Sequence, residues 1–257
     1  MAVIKLVLAY DGTDFHGWAR QRGVITVQGA IEDALAPMLP EPPTLSVAGR
    51  TDAGVHAEGQ VASFPAPVGL DPLKVQRAVN AVLSPVVVVV SAERARQGFD
   101  ARRNATGREY RYRIDTGPVP DPFTARYVWH RPGRLGVGKM RAAARLLEGE
   151  HDFASFCRAP PSPASTVRVL RRLTVSTDGD LIEVRAMADG FLHQMVRSLV
   201  GTLVGVGEGR LLPDAMPTIL AARQRAAAGP VAPPHGLTLV RVRYGPRRGV
   251  GAPSGGS

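Results

Sequence analysis

Ala48-Gly49-Arg50-Thr51-Asp52-Ala53-Gly54-Val55-His56-Ala57 crowds two glycines, a carboxylate, a guanidinium and an imidazole into ten residues. Glycines permit a tight backbone and the close approach of a ligand. An aspartate presented on such a loop can serve as nucleophile or base, with Arg50 to orient it or to grip phosphate. The same residues also describe an Asx-turn in which Arg50 merely neutralises Asp52. Spacing alone favours the second, structural reading.

Three other segments carry polar groups in informative settings. In Arg108-Glu109-Tyr110-Arg111-Tyr112-Arg113-Ile114, the period of a strand puts Tyr110, Tyr112 and Ile114 on one face and Arg111 and Arg113 on the other. An aromatic platform beside phosphate-binding arginines suits a nucleic acid; Tyr112 reads as core and Tyr110 as the stacking candidate. With Arg102, Arg103 and Arg108, these arginines number five in twelve residues, which reads as an RNA track. In the segment 191–206, Leu192, Val196, Leu199, Val200 and Leu203 form an apolar helical stripe with Arg197 beside it. A half-buried guanidinium there needs a carboxylate partner, or else must snorkel to solvent. Gly205-Val206-Gly207-Glu208-Gly209 reads as a helix cap, because no strand leads into it as a phosphate loop requires. His56 and His193 read as structural or RNA-contacting residues.

These side chains need a scaffold, and hydrophobic periodicity supplies its outline. A strand is expected over 4–9, ended by the Asp11-Gly12 turn, and a helix capped by Thr26 with Val27, Ala30, Ile31, Ala34 and Leu35 on one face. Strands over 45–48 and 60–64, a helix over 71–83 and a strand over 86–91 follow. The order is that of a split β-α-β unit. The second half repeats the theme: a strand over 108–114, a helix over 137–147, strands over 167–176 and 181–187 about the Asp178-Gly179 turn, helices over 191–206 and 213–223, and a strand over 237–243. The expected class is α+β, with two similar halves, each a mainly antiparallel sheet with helices packed on one face. The expected division is 1–103, 104–246 and a Gly/Pro/Ser-rich disordered tail over 247–257; 160–165 reads as a loop.

Composition narrows the partner. The 257 residues include 3 Lys, 29 Arg and 22 Asp plus Glu, for a formal net charge of +10, which points to a polyanion. Arginine forks phosphate and stacks on bases, which suits RNA. Cys157 is the single cysteine, so an internal disulfide is excluded and a reducing, cytoplasmic setting is expected. The six histidines never fall at metal-ligand spacing, so no metal site is expected. The longest apolar run, 85–90, is far short of the ~20 residues of a membrane span, and the N-terminus has no signal-peptide pattern.

The segment AGRTDAGVHAEGQVASF closely resembles the signature loop of the TruA-type tRNA pseudouridine synthases. LAYDGTDFHGWARQ, TVQGAIEDAL, FDARRNATGREYRYRI, HDFASFC, DGFLHQMVRSLVGTLVGVGEGR and HGLTLVRVRY are similar to that family's other blocks, in the same order, so that the resemblance spans residues 3–245. It implies that Asp52 is the nucleophile, that Arg50 assists flipping of the target base, that Tyr110 stacks on that base, and that Arg197 pairs with Asp52. It also implies a homodimer that binds tRNA in a basic, RNA-binding cleft between the halves, with no metal or cofactor. The activity so implied is isomerisation of uridine to pseudouridine at positions 38, 39 and 40 in the tRNA anticodon stem-loop. Attack by Asp52 at C1′, addition at C6 and proton abstraction at C2′ all remain open to one carboxylate. A non-catalytic tRNA-binding module would share the charge and the arginines, but would not need Asp52, Arg50, Tyr110 and Arg197 together. A nucleotide-binding phosphate loop is excluded because no Gly-x-x-x-x-Gly-Lys-Ser/Thr occurs.

Overall fold

A computed structural model of the chain describes residues 2–158 and 165–245. In β1 (Ala2–Tyr10), Ile4, Leu6, Leu8 and Tyr10 are buried while Val3, Lys5 and Val7 are partly exposed, so one face of the strand is committed to the core. α1 (Val27–Leu35) starts where the Thr26 hydroxyl accepts the Gly29 N–H, and it lays Val27, Ile31 and Leu35 onto that face. β2 (Ser46–Val47) and β3 (His56–Ala66) follow. α2 (Pro72–Leu83) is capped by Asp71, which accepts the Leu73 N–H at 3.0 Å, and its first helical residue is a proline that has no N–H to satisfy. β4 (Val87–Ala95) completes the first half.

The second half comprises β5 (Ala105–Asp115), β6 (Trp129–His130), α3 (Val137–Arg145), β7 (Gly149–Asp152), β8 (Val167–Asp178), β9 (Leu181–Ala188), α4 (Met195–Gly207), α5 (Met216–Ala222) and β10 (Leu237–Tyr244). Asp178 pairs with Leu181, which leaves Gly179-Asp180 as the two-residue turn expected from Asp178-Gly179. α4 ends at Gly207, and the Arg210 and Leu211 N–H groups fold back onto the Gly205 carbonyl, so the glycine-rich run is a helix cap.

The sheet runs β4-β1-β3-β10-β5-β9-β8-β7, with β2 on β3 and β6 on β5. Each half follows one plan, last-first-third-second: β4-β1-β3-β2 and β10-β5-β9-β8. The two sheets expected from sequence are nevertheless one ten-stranded sheet. β10 pairs with β5 on one side and, in parallel, with β3 on the other, so neither half is left with an open edge at the seam. Parallel pairing of His56 with Thr238 brings the start of β3 and the start of β10 to the same end of the sheet. The loop 48–55 enters β3 there.

Two expectations are corrected. α4 begins at Met195, not at residue 191, because Gln194 is left-handed at φ 63° and the chain cannot be helical through it. β7 (Gly149–Asp152) lies in Gly-Glu-His-Asp, a sequence with no alternation of apolar and polar residues to announce a strand. The tail expected over 247–257 and most of the loop expected over 160–165 lie outside the described residues. Among the described residues, no helix is long and apolar enough to cross a membrane.

Candidate active site

The loop 48–55 is fixed along almost its whole length. The Ala48 N–H donates to the Val61 carbonyl at 2.9 Å, and Arg108 Nε donates to the Ala48 carbonyl at 3.2 Å. Gln60 donates to the Gly49 carbonyl at 2.7 Å, and the Thr51 hydroxyl meets the Tyr10 phenol at 2.9 Å. The Trp18 N–H donates to the Thr51 carbonyl at 3.0 Å, and the Gly54 N–H to the Phe15 carbonyl at 3.4 Å. Two glycines make this packing possible. Gly54 has φ +76°, and a Cβ at Gly12 would collide with the Val55 carbonyl. The Asx-turn reading of Asp52 fails on contacts: among the described residues no backbone N–H satisfies its carboxylate, which instead reaches side chains from the other half.

Arg197 Nη1 donates to Asp52 Oδ2 at 2.9 Å, across 145 positions of sequence. Its Nε donates to the Ala232 carbonyl at 2.8 Å, and its side chain is 13% exposed against 22% for Asp52. The guanidinium therefore meets both a carboxylate and a carbonyl, which offsets much of its desolvation. His193 Nε2 lies 3.3 Å from Asp52 Oδ1, and that side chain is 50% exposed. The sequence reading left His193 without this contact. No local signal announces it, because the left-handed Gln194 breaks the helical spacing between His193 and Arg197.

Tyr110 projects toward the same end of the seam, buried beside Gly49, with Phe191 edge-on at 5.1 Å between ring centroids. Burial pushes its phenol well above the usual tyrosine range, so it keeps its proton. Phe191 is the second aromatic of the site; it lies ahead of α4 and not within it. Arg50 is exposed and has no hydrogen-bond or ion-pair partner among the described residues.

His56 is buried, and its environment accounts for it structurally. Nδ1 accepts the Gly12 N–H at 3.0 Å, and Nε2 faces the carbonyls of Arg126 and His235 at 3.0 and 3.1 Å. Desolvation holds its pKa below the usual value, although Asp11 at 3.1 Å opposes that shift.

The expected arginine track is not one surface. Arg108 lies on the helix-covered side, where it donates to the Ala48 and Asp189 carbonyls. Burial lowers its pKa, a shift that the Asp189 charge opposes without cancelling. Arg111 and Arg113 point to the opposite face and pair with Glu58 and Glu183. Strand alternation separates them, and carboxylates from β3 and β9 then neutralise the second group. Arg102 and Arg103 are exposed and outside any ion pair among the described residues.

A family model described as tRNA pseudouridine synthase matches residues 143–245. Over 244 residues the chain is 43% identical to tRNA pseudouridine synthase A of Geobacter sulfurreducens, covering 95% of this chain and 100% of the relative. It is 44% identical over 247 residues to the protein of the same name from Sinorhizobium medicae, with 95% and 100% covered. The corresponding protein of Geobacillus kaustophilus is 44% identical over 243 residues, with 94% of each chain covered.

Proposed function

The chain belongs to the tRNA pseudouridine synthase A family of isomerases, and we propose that Asp52 is its nucleophile and that its targets are uridines 38, 39 and 40 of the tRNA anticodon stem-loop. The observation that carries this reading is the Asp52 carboxylate itself, held on a rigid loop and paired with Arg197 at 2.9 Å.

The reaction breaks the bond from N1 to C1′, turns the base and forms a bond from C5 to C1′. The proton lost from C5 is balanced by one gained at N1. A uridine in a stem must first leave its stack, which costs a few kcal/mol. Arg50, exposed and unpaired at the start of the loop, fills the gap or holds the flipped backbone. Tyr110, with Phe191 beside it, offers the face on which the base rests. Arg197 keeps Asp52 oriented from the protein side while the carboxylate attacks.

The tRNA lies in a basic cleft between two domains, 1–103 and 104–246, in a cytoplasmic homodimer. Support for the dimer comes from the segment 116–128, where Phe123 is 90% exposed and Val119 72% exposed, apolar surface that a second copy would cover. The deciding experiment maps pseudouridine in tRNA after incubation with the purified protein. Modification at 38–40 is expected; modification confined to other uridines would overturn the substrate assignment.

A further inference from the structure

Among the described residues two side chains reach the Asp52 carboxylate, one at each oxygen. Arg197 holds Oδ2 from within the protein, with its Nε tied to the Ala232 carbonyl. His193 stands 3.3 Å from Oδ1 and is half exposed, so it occupies the open side from which a nucleotide must arrive. A carboxylate anchored at one oxygen retains freedom about its last torsion, where the rotamer wells are broad. A second donor at the other oxygen removes that freedom.

The backbone is arranged to supply that donor. Gln194, between His193 and the first turn of α4, has φ 63° and ψ 8° although it is not glycine. Such a conformation costs on the order of 1–2 kcal/mol and persists where surrounding contacts enforce it. Here it turns the chain so that residues 193 and 197 both face one carboxylate. The carbonyl of His193 is held in turn by the Arg158 N–H at 3.1 Å.

We infer that His193 is a positioning residue of the isomerisation, whose Nε2–H closes onto Asp52 Oδ1 in the substrate complex and sets the plane of the attacking carboxylate. The 3.3 Å separation is at the long end of hydrogen-bond distances, and active-site contacts of this kind tighten when substrate is bound. The inference rests on Asp52 being the nucleophile, and it adds a residue whose contribution belongs to the rate of the chemical step and not to RNA affinity.

The test compares wild type, Asp52→Ala, His193→Ala and His193→Gln on a tRNA transcript, by single-turnover rate of pseudouridine formation, by tRNA affinity and by melting temperature. His193→Ala is expected to slow the single-turnover rate by about 10- to 100-fold, as loss of orientation does, with affinity and melting temperature close to wild type. His193→Gln, whose amide nitrogen lies near the position of Nε2, is expected to recover most of that rate. A His193→Ala enzyme at the wild-type rate, a loss that appears only in affinity, or a Gln variant as slow as the Ala variant would each overturn the role. An active wild type that tolerates Asp52→Ala removes the parent reading, and this one with it. An active wild type that needs Asp52 but tolerates His193→Ala removes only the role of His193.

Discussion

The two faces of β5 use arginine in opposite ways. On the outer face, Arg111 meets Glu58 and Glu183, Arg113 meets Glu183, and the ladder continues through Arg185 and Glu109 to Arg243. On the inner face, Arg108 meets only backbone carbonyls, Tyr110 keeps its proton, and nearby Arg197 meets the Asp52 carboxylate. The outer charges are spent on one another and hold neighbouring strands in register. The inner ones hold a loop and a carboxylate in position. A positive charge therefore says little about RNA until its partner is known, and the spare charge of this protein lies elsewhere, on residues such as Arg50, Arg102 and Arg103.

This contrast can be broken or sharpened by substitution. The largest effect is expected at the centre of the inner face, where Asp52→Ala or Asp52→Asn should abolish isomerisation while tRNA affinity changes little. Either variant turning over near the wild-type rate would remove Asp52 as the nucleophile.

Next comes a matched pair of arginine substitutions. Arg197→Met keeps apolar packing but leaves Asp52 without its guanidinium, so activity should fall by about 100-fold, far more than stability would explain. Arg111→Met removes the ion pairs with Glu58 and Glu183 on the outer face. It should change the rate by less than about threefold and stability by about 1 kcal/mol. Equal losses of activity in the two variants, compared at equal folded fraction, would erase the distinction between the faces.

Salt dependence gives a finer measure. The slope of log K for tRNA against log salt should reach several units, at ~0.7–0.9 per phosphate neutralised. Replacing Arg50, Arg102 or Arg103 by Ala should each lower that slope by about one unit, whereas Arg111→Ala should leave it unchanged. A flat titration for the wild type would contradict a basic cleft altogether.

The smallest effect concerns His56, which is buried between the halves. Its folded pKa lies below the usual value of 6.5, so below about that pH the unfolded chain binds a proton that the folded one resists. Stability should therefore decline as pH falls from 6.5 toward the folded pKa, by up to about 1.4 kcal/mol per pH unit. Thermal melts at pH 7 and pH 5 would measure this decline. His56→Gln should show a shallower one, and an unchanged slope would reassign the effect to another group.

Much of the scaffold was legible because its signals are local. Thr26 and Asp71 cap helices whose apolar faces repeat with the helical period, and Asp178-Gly179 announces its hairpin. Arg197 beside the stripe of α4 calls either for a carboxylate partner or for an exit to solvent, and its contact with Asp52 decides for the first. What escaped depends on residues far apart in the chain. The left-handed Gln194 has no signature in its residue type, so neither the true start of α4 nor the reach of His193 could be read. Period two separates Arg108 from Arg111, but Glu183 comes from β9 beside β5 and Glu58 from β3 across β10, an order of strands set by the whole topology. The parallel junction of β3 with β10 joins residues some 180 positions apart, with no local pattern to announce it.

That junction bears on how the protein is made. During synthesis β3 emerges early, yet its partner along the seam is the last strand among the described residues. Until residues 237–244 leave the ribosome, β3 and β5 each present an unpaired edge, the kind of template on which nascent chains associate wrongly. Contacts of such long sequence separation form slowly, because closing the loop between them is entropically unfavourable. Ala232 and Pro234, which brace Arg197 and Gly54, arrive with the same final segment. Emergence of β10 and assembly of the catalytic seam are thus a single event, and a ribosome-bound chain that stops short of β10 should carry the Asp52 loop without the wall that makes it an enzyme.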